Sequence, residues 1–117
     1  MDEELSYWLN RAQRYHELID LTAKSVQSDE ESKDFCECQL RNYYAPPGLE
    51  EEAEKQRREL IDWIAKHDEW IRDSRQALAE FTASLEEAES EAMRLMADEQ
   101  QRVKAHARNP DAASESN

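Results

Sequence analysis

The chain has almost nothing with which to turn its backbone. Gly48 is its single glycine, and Pro46, Pro47 and Pro110 are its only prolines. Positions 1–45 and 49–109 contain neither residue. Sheets and catalytic loops draw on both for their tight turns. The two uninterrupted stretches are instead filled with Ala, Glu, Leu, Gln, Lys and Arg, which favour helix. The expectation is an all-α protein with a single helical domain over 1–108. Arm one spans 2–45, a Pro-Pro-Gly turn occupies 46–48 and arm two spans 49–108. Asn109-Pro110 stops the second arm, and 109–117 is read as a polar, disordered tail.

The apolar residues repeat at helical spacing. In arm one they fall at Leu5, Trp8, Ala12, Tyr15, Ile19, Thr22 and Val26. The steps alternate between three and four, the rhythm of a coiled-coil seam. The phase continues through the polar Asp29 and Lys33 to Cys36, Leu40 and Tyr43, which favours one continuous helix. Ser28 followed by Glu31 is a capping-box signature, so a break near residue 30, giving three helices, is the alternative. Arm two carries Leu60, Ile64, His67, Ile71, Ser74, Leu78, Phe81, Leu85, Ala88, Ala92 and Leu95 in one phase. Ile61, Trp63 and Trp70 widen the stripe at its start, as do Met93 and Met96 near its end.

A short proline-containing turn between two such arms makes a long antiparallel helical hairpin, coiled-coil-like in its seam, the expected architecture. With the turn centred near residue 47, Asp29, Asp34 and Glu37 lie beside the segment carrying Lys55, Arg57, Arg58 and Lys66. Arm two then outruns arm one. Leu95, Met96 and Val103 sit on an overhang without intramolecular cover, a candidate surface for dimerisation or for a partner. Leu, Ile, Val and Phe together number only 18 of 117 residues, below the roughly one-fifth mark under which a highly charged chain is suspected of disorder. Partial disorder in isolation is one reading, and a long helical pair, which needs only a narrow seam, is the other. A core that thin suggests that a partner, or a second copy in a homodimer, adds burial.

The net charge of −13 opposes direct binding to nucleic acid or to an anionic membrane surface. No apolar run approaches the roughly 20 residues that span a bilayer. The acidic start, Met1-Asp2-Glu3-Glu4, is unlike a basic signal sequence. Cys36 and Cys38, two apart on a helix, point about 200° away from each other and cannot easily bridge or share a metal. Two lone thiols fit a reducing cytoplasm.

Two sets of residues stand out as candidate binding surfaces. Between Arg75 and Arg94 there is no basic residue, and Glu80, Glu86, Glu87, Glu89 and Glu91 fill the gap. Asp2, Glu3 and Glu4 are expected to fold back beside Glu89 and Glu91. The bland account of such a pole is a solvated helix face. The functional account is a patch for a basic partner, or an imitation of a phosphate backbone. The second set is aromatic: Trp63 and Trp70, seven apart on one flank of the seam, either pack on arm one or project as interface anchors. Tyr43 and Tyr44 are expected to pack at the turn. His67 holds a seam position, where a polar group more often sets register than binds metal. No metal-ligand spacing, phosphate loop or nucleophile–base set is present, so no cofactor, metal or enzymatic activity is expected. Ser74 follows His67 by seven, but helix interiors consume the backbone N–H groups that an oxyanion hole needs. The expected function is that of an acidic helical adaptor or regulator that binds a partner protein. The alternative is an acidic nucleic-acid mimic that inhibits a DNA- or RNA-binding protein, as phage anti-defence proteins do by analogy only.

Overall fold

The computed structural model describes residues 3–108, which form two helices: α1 (Glu3–Arg41) and α2 (Glu50–Arg108). The chain is an all-α helical hairpin, with no strand among the described residues. Asp2 and the tail at 109–117 lie outside the described residues.

α1 runs unbroken through 28–32. The capping signature there is not used as a cap. Glu31 instead accepts a hydrogen bond from the Gln27 side chain, four residues earlier on the same helix face, at 3.3 Å. Helical phase on both sides of the polar interval outweighs the local signal. α1 does stop earlier than the expected end at 45. Asn42 donates from its backbone N–H and from its side-chain amide to the Cys38 carbonyl, at 3.1 and 3.0 Å, occupying one of the carbonyls a helix end leaves bare. Beyond it, Pro46 disfavours helix at Ala45.

The connection closes in a tight turn. The Leu49 N–H donates to the Pro46 carbonyl at 3.0 Å, and Gly48 has φ +89°. Proline followed by a positive-φ glycine at the two central positions is the pattern of a type II turn. A side chain at 48 would meet no atom within 4 Å, so what holds glycine there is the backbone angle and not crowding. The first helical bond of α2 follows from Ala53 N–H to the Leu49 carbonyl at 2.9 Å. Glu50 folds back and accepts from the Gly48 N–H at 3.0 Å. That N–H, and then Glu50's own, hold its carboxyl below the ordinary carboxylate range.

Every expected seam position from Leu5 to Tyr43 on the first arm, and from Leu60 to Leu95 on the second, is buried or half-buried. The chain divides into two compact units, Leu18–Phe81 and Met1–Glu17 with Thr82–Asn117. In the first, which holds the turn, the seam centres on Val26 and Ile71 and also carries polar residues. His67 Nδ1 lies 3.2 Å from Asp29 Oδ1 across the helices. Lys33 Nζ meets Asp68 at 2.6 Å, a bond that raises the Lys33 pKa above its ordinary value. Arg75 pairs with Glu30. In the second unit the buried positions are Ala12, Leu85, Ala88 and Ala92, with Ala88 fully enclosed at 0% exposure.

The register differs from the expected one. With a turn centred at 47, Asp29 would face position 65 and Lys33 position 61; their partners are His67 and Asp68. The cause is the early end of α1. Extended residues advance about 3.3 Å each against about 1.5 Å in a helix, so a non-helical stretch after Arg41 covers more of α2 than helix would. The charge ladder changes with it. Arg57 and Arg58 pair with Glu54 on their own helix at 3.7 and 3.5 Å, and Lys66 lies over the Trp63 ring. No described helix is long and apolar enough to cross a membrane.

Candidate functional site

Residues near the turn build an open, aromatic-walled groove. Phe35, Cys38 and Gln39 of α1, with Asn42 just beyond its end, form one wall; Gln56, Glu59, Leu60 and Trp63 of α2 form the other; Tyr43 and Tyr44 close one end. The space is about 690 Å³, within the range of small-ligand clefts, but it is an open trough and not an enclosed cavity. Tyr43 packs at the turn as expected, half-buried, with its hydroxyl enclosed and without a hydrogen-bond partner among the described residues. Tyr44 does not: it is 73% exposed, alongside Phe35 at 63%, Trp63 at 48% and Trp70 at 44%.

The two tryptophans project outward, as interface anchors would. They form one cluster with the seam histidine. Trp63 and His67 stack with centroids 5.8 Å apart, His67 and Trp70 meet edge-on at 5.2 Å, and the two indoles lie 6.3 Å apart. Spacings of four and three put all three rings on one side of α2. Asp29 holds the imidazole from the other helix, so the polar seam contact also fixes the ring on which both indoles rest. Lys66 Nζ sits 5.2 Å from the Trp63 ring centroid. The result is an exposed aromatic surface with side-chain amides at Gln39, Asn42 and Gln56.

The acidic residues are placed differently. Glu80 lies in the unit that holds the turn; Glu86, Glu87, Glu89 and Glu91 belong to the other. Glu80, Glu86, Glu87 and Glu89 are exposed. They do not converge. At about 100° per residue, Glu87 and Glu91 share one flank of α2 while Glu86 and Glu89 share another. Glu91 is half-buried and accepts from Arg94 at 2.9 Å. Glu91, then Asp98 and Glu4, hold the Arg94 guanidinium above its ordinary pKa range. The fold-back of the first acids therefore brings Glu4 towards a cation, while Asp2 is outside the described residues.

On the overhang, Leu95 is half-buried, whereas Met96 and Val103 are exposed, as is every residue from 96 to 108. No group of three or more metal-ligating side chains occurs among the described residues. Cys36 and Cys38 are free thiols.

Phe35 was not legible as a site residue from the seam alone. A signal existed: it falls outside the three–four rhythm in a chain with few apolar residues to spare, as do Leu21 and Met93. Its position against Trp63 follows only from the register. Comparison with protein-family models, with characterised protein sequences and with solved structures gives no match.

Proposed function

We propose that the chain is a cytoplasmic protein–protein interaction module, an adaptor or regulator, whose aromatic groove receives an amphipathic helical segment of a partner protein. The observation that carries this is the exposure of Phe35, Tyr44 and Trp63 around one trough, with the exposed Trp70 packed edge-on against Trp63 beside it. Rigid aromatics are the residues that most often anchor interfaces, because they bury large area with little loss of rotamer freedom. A segment with basic flanks suits a chain of net charge −13. The alternative, an acidic nucleic-acid mimic, draws on the exposed Glu86, Glu87 and Glu89 with no basic residue between Arg75 and Arg94. Their divergence around the helix favours the groove.

Capture from host lysate with three baits separates the two. The baits are the wild-type chain, a Trp63→Ala/Trp70→Ala variant and a Glu86→Lys/Glu87→Lys/Glu89→Lys variant. Partners lost with the aromatic variant, kept with the lysine variant and resistant to added duplex DNA and high salt support the groove. Partners lost with the lysine variant and released by DNA support the mimic, because charge-driven binding is screened by salt.

A further inference from the structure

The C-terminal part of α2 carries a second apolar stripe. Met93, Met96, Gln100, Val103 and Ala107 follow one another at steps of three, four, three and four. The stripe lies about 100° around the helix from the Ala92–Leu95 seam that faces α1. All five residues are exposed, Met93 at 66% and Val103 at 59%. Nothing among the described residues of the chain covers this face.

Charge along the same stretch is polarised. From Glu80 to Glu91 there are five acids and no base, while from Gln100 to Arg108 there are three bases, Arg102, Lys104 and Arg108, and no acid. A segment that is acidic at one end and basic at the other is complementary to itself only when inverted. Parallel pairing would set like charges alongside one another; antiparallel pairing sets bases against acids.

We propose that two copies of the chain pair antiparallel along this stripe. Met93 of each packs against Val103 of the other, and Lys104 and Arg108 of each lie beside Glu86 and Glu89 of the other, the acids that share the flank of the stripe. Gln100, the polar position within the stripe, meets Met96 of the second copy and helps to fix the register. A two-fold pairing of one face with itself closes on a dimer. It uses no residue of the aromatic groove.

Sedimentation equilibrium across a concentration series is the test. The wild-type chain shifts from 13.8 kDa towards twice that mass. A Met96→Glu/Val103→Glu variant weakens association by at least about tenfold while circular dichroism shows unchanged helix, since both positions are exposed. Lys104→Glu/Arg108→Glu weakens self-association, and mixing it with Glu86→Lys/Glu89→Lys restores a dimer. With Cys36 and Cys38 replaced by Ser, Met93→Cys and Val103→Cys chains form a mixed disulfide. A single monomer mass at every concentration overturns the proposal, as does association indifferent to Met96→Glu/Val103→Glu or abolished by Trp63→Ala. Failure of the charge-reversed pair to restore the dimer, or Val103→Cys linking mainly to itself, overturns the antiparallel register.

Discussion

The two units of the hairpin join the same two helices by different means. In Leu18–Phe81 the seam mixes Val26 and Ile71 with Asp29, Lys33 and His67, and the polar members pair across the helices. In Met1–Glu17 with Thr82–Asn117 the buried positions are three alanines and one leucine. Alanine lets helix backbones approach closely, because interaxial distance follows side-chain size at the contact. It specifies register weakly, since one alanine resembles another. A histidine–carboxylate contact is satisfied in one register only. The polar seam therefore sets alignment where Phe35 must stand opposite Trp63, and the alanine seam supplies close packing where no groove is built.

Core substitutions give the largest expected effects and sharpen this contrast. Ile71→Ala removes a buried branched side chain from the mixed seam and is expected to cost about 2–5 kcal/mol in chemical denaturation. Ala88→Leu does the reverse at a fully enclosed position of the alanine seam; overpacking there is expected to cost about 1–3 kcal/mol. A neutral Ala88→Leu would mean that the alanine seam is loose, and the contrast would break. Next in size is Asp29→Ala, which leaves His67 without its cross-helix partner and is expected to cost about 1–3 kcal/mol. Replacing both by Leu should recover most of that stability, since exchanging a desolvated polar pair for apolar side chains of similar volume is often neutral or stabilising. The same double variant should lose fixed orientation at Trp63 and Trp70, seen as a changed near-ultraviolet dichroism.

The smallest effect is a pH dependence at the turn. The Gly48 N–H holds the Glu50 carboxyl below its ordinary value. A lowered folded-state pKa contributes stability that is complete above the unfolded value, about 4.5, and is lost as pH falls through the lowered one. Glu50→Gln should therefore lower Tm slightly at neutral pH and match the wild type in strong acid. Lys33 has the opposite sign. Asp68 raises its pKa, so its contribution is present below 10.5 and is lost as pH rises through the raised value.

Most of the fold was legible because the sequence leaves so few alternatives. The glycine and proline gap dictated two helices, and the three–four rhythm located every seam position from Leu5 to Leu95. The end of α1 was not legible. The Asn42 backbone N–H makes the last i→i−4 bond, to the Cys38 carbonyl, with the side-chain amide joining it, while Tyr43 beyond it still keeps the helical phase. The register shift followed from that early end, and with it the place of Phe35 on the groove wall opposite Trp63. The outward aim of Trp63 and Trp70 was one of two open outcomes, because a flank position seven residues from its neighbour suits packing and projection equally. The acidic pole was legible as composition, whereas its spread around the helix and the Glu91–Arg94 pair are matters of angle and rotamer.

Hydroxyl-radical footprinting of the full chain, alone and with its captured partner, tests the central claim most directly. Trp, Tyr, Phe and Met label readily, and exposed examples mark both surfaces. The account predicts that the partner protects Phe35, Tyr44, Trp63 and Trp70 and leaves the labelling of Met93 and Met96 unchanged. Protection of Met93 and Met96 by the partner, with the four aromatics labelled as in the free chain, would contradict it.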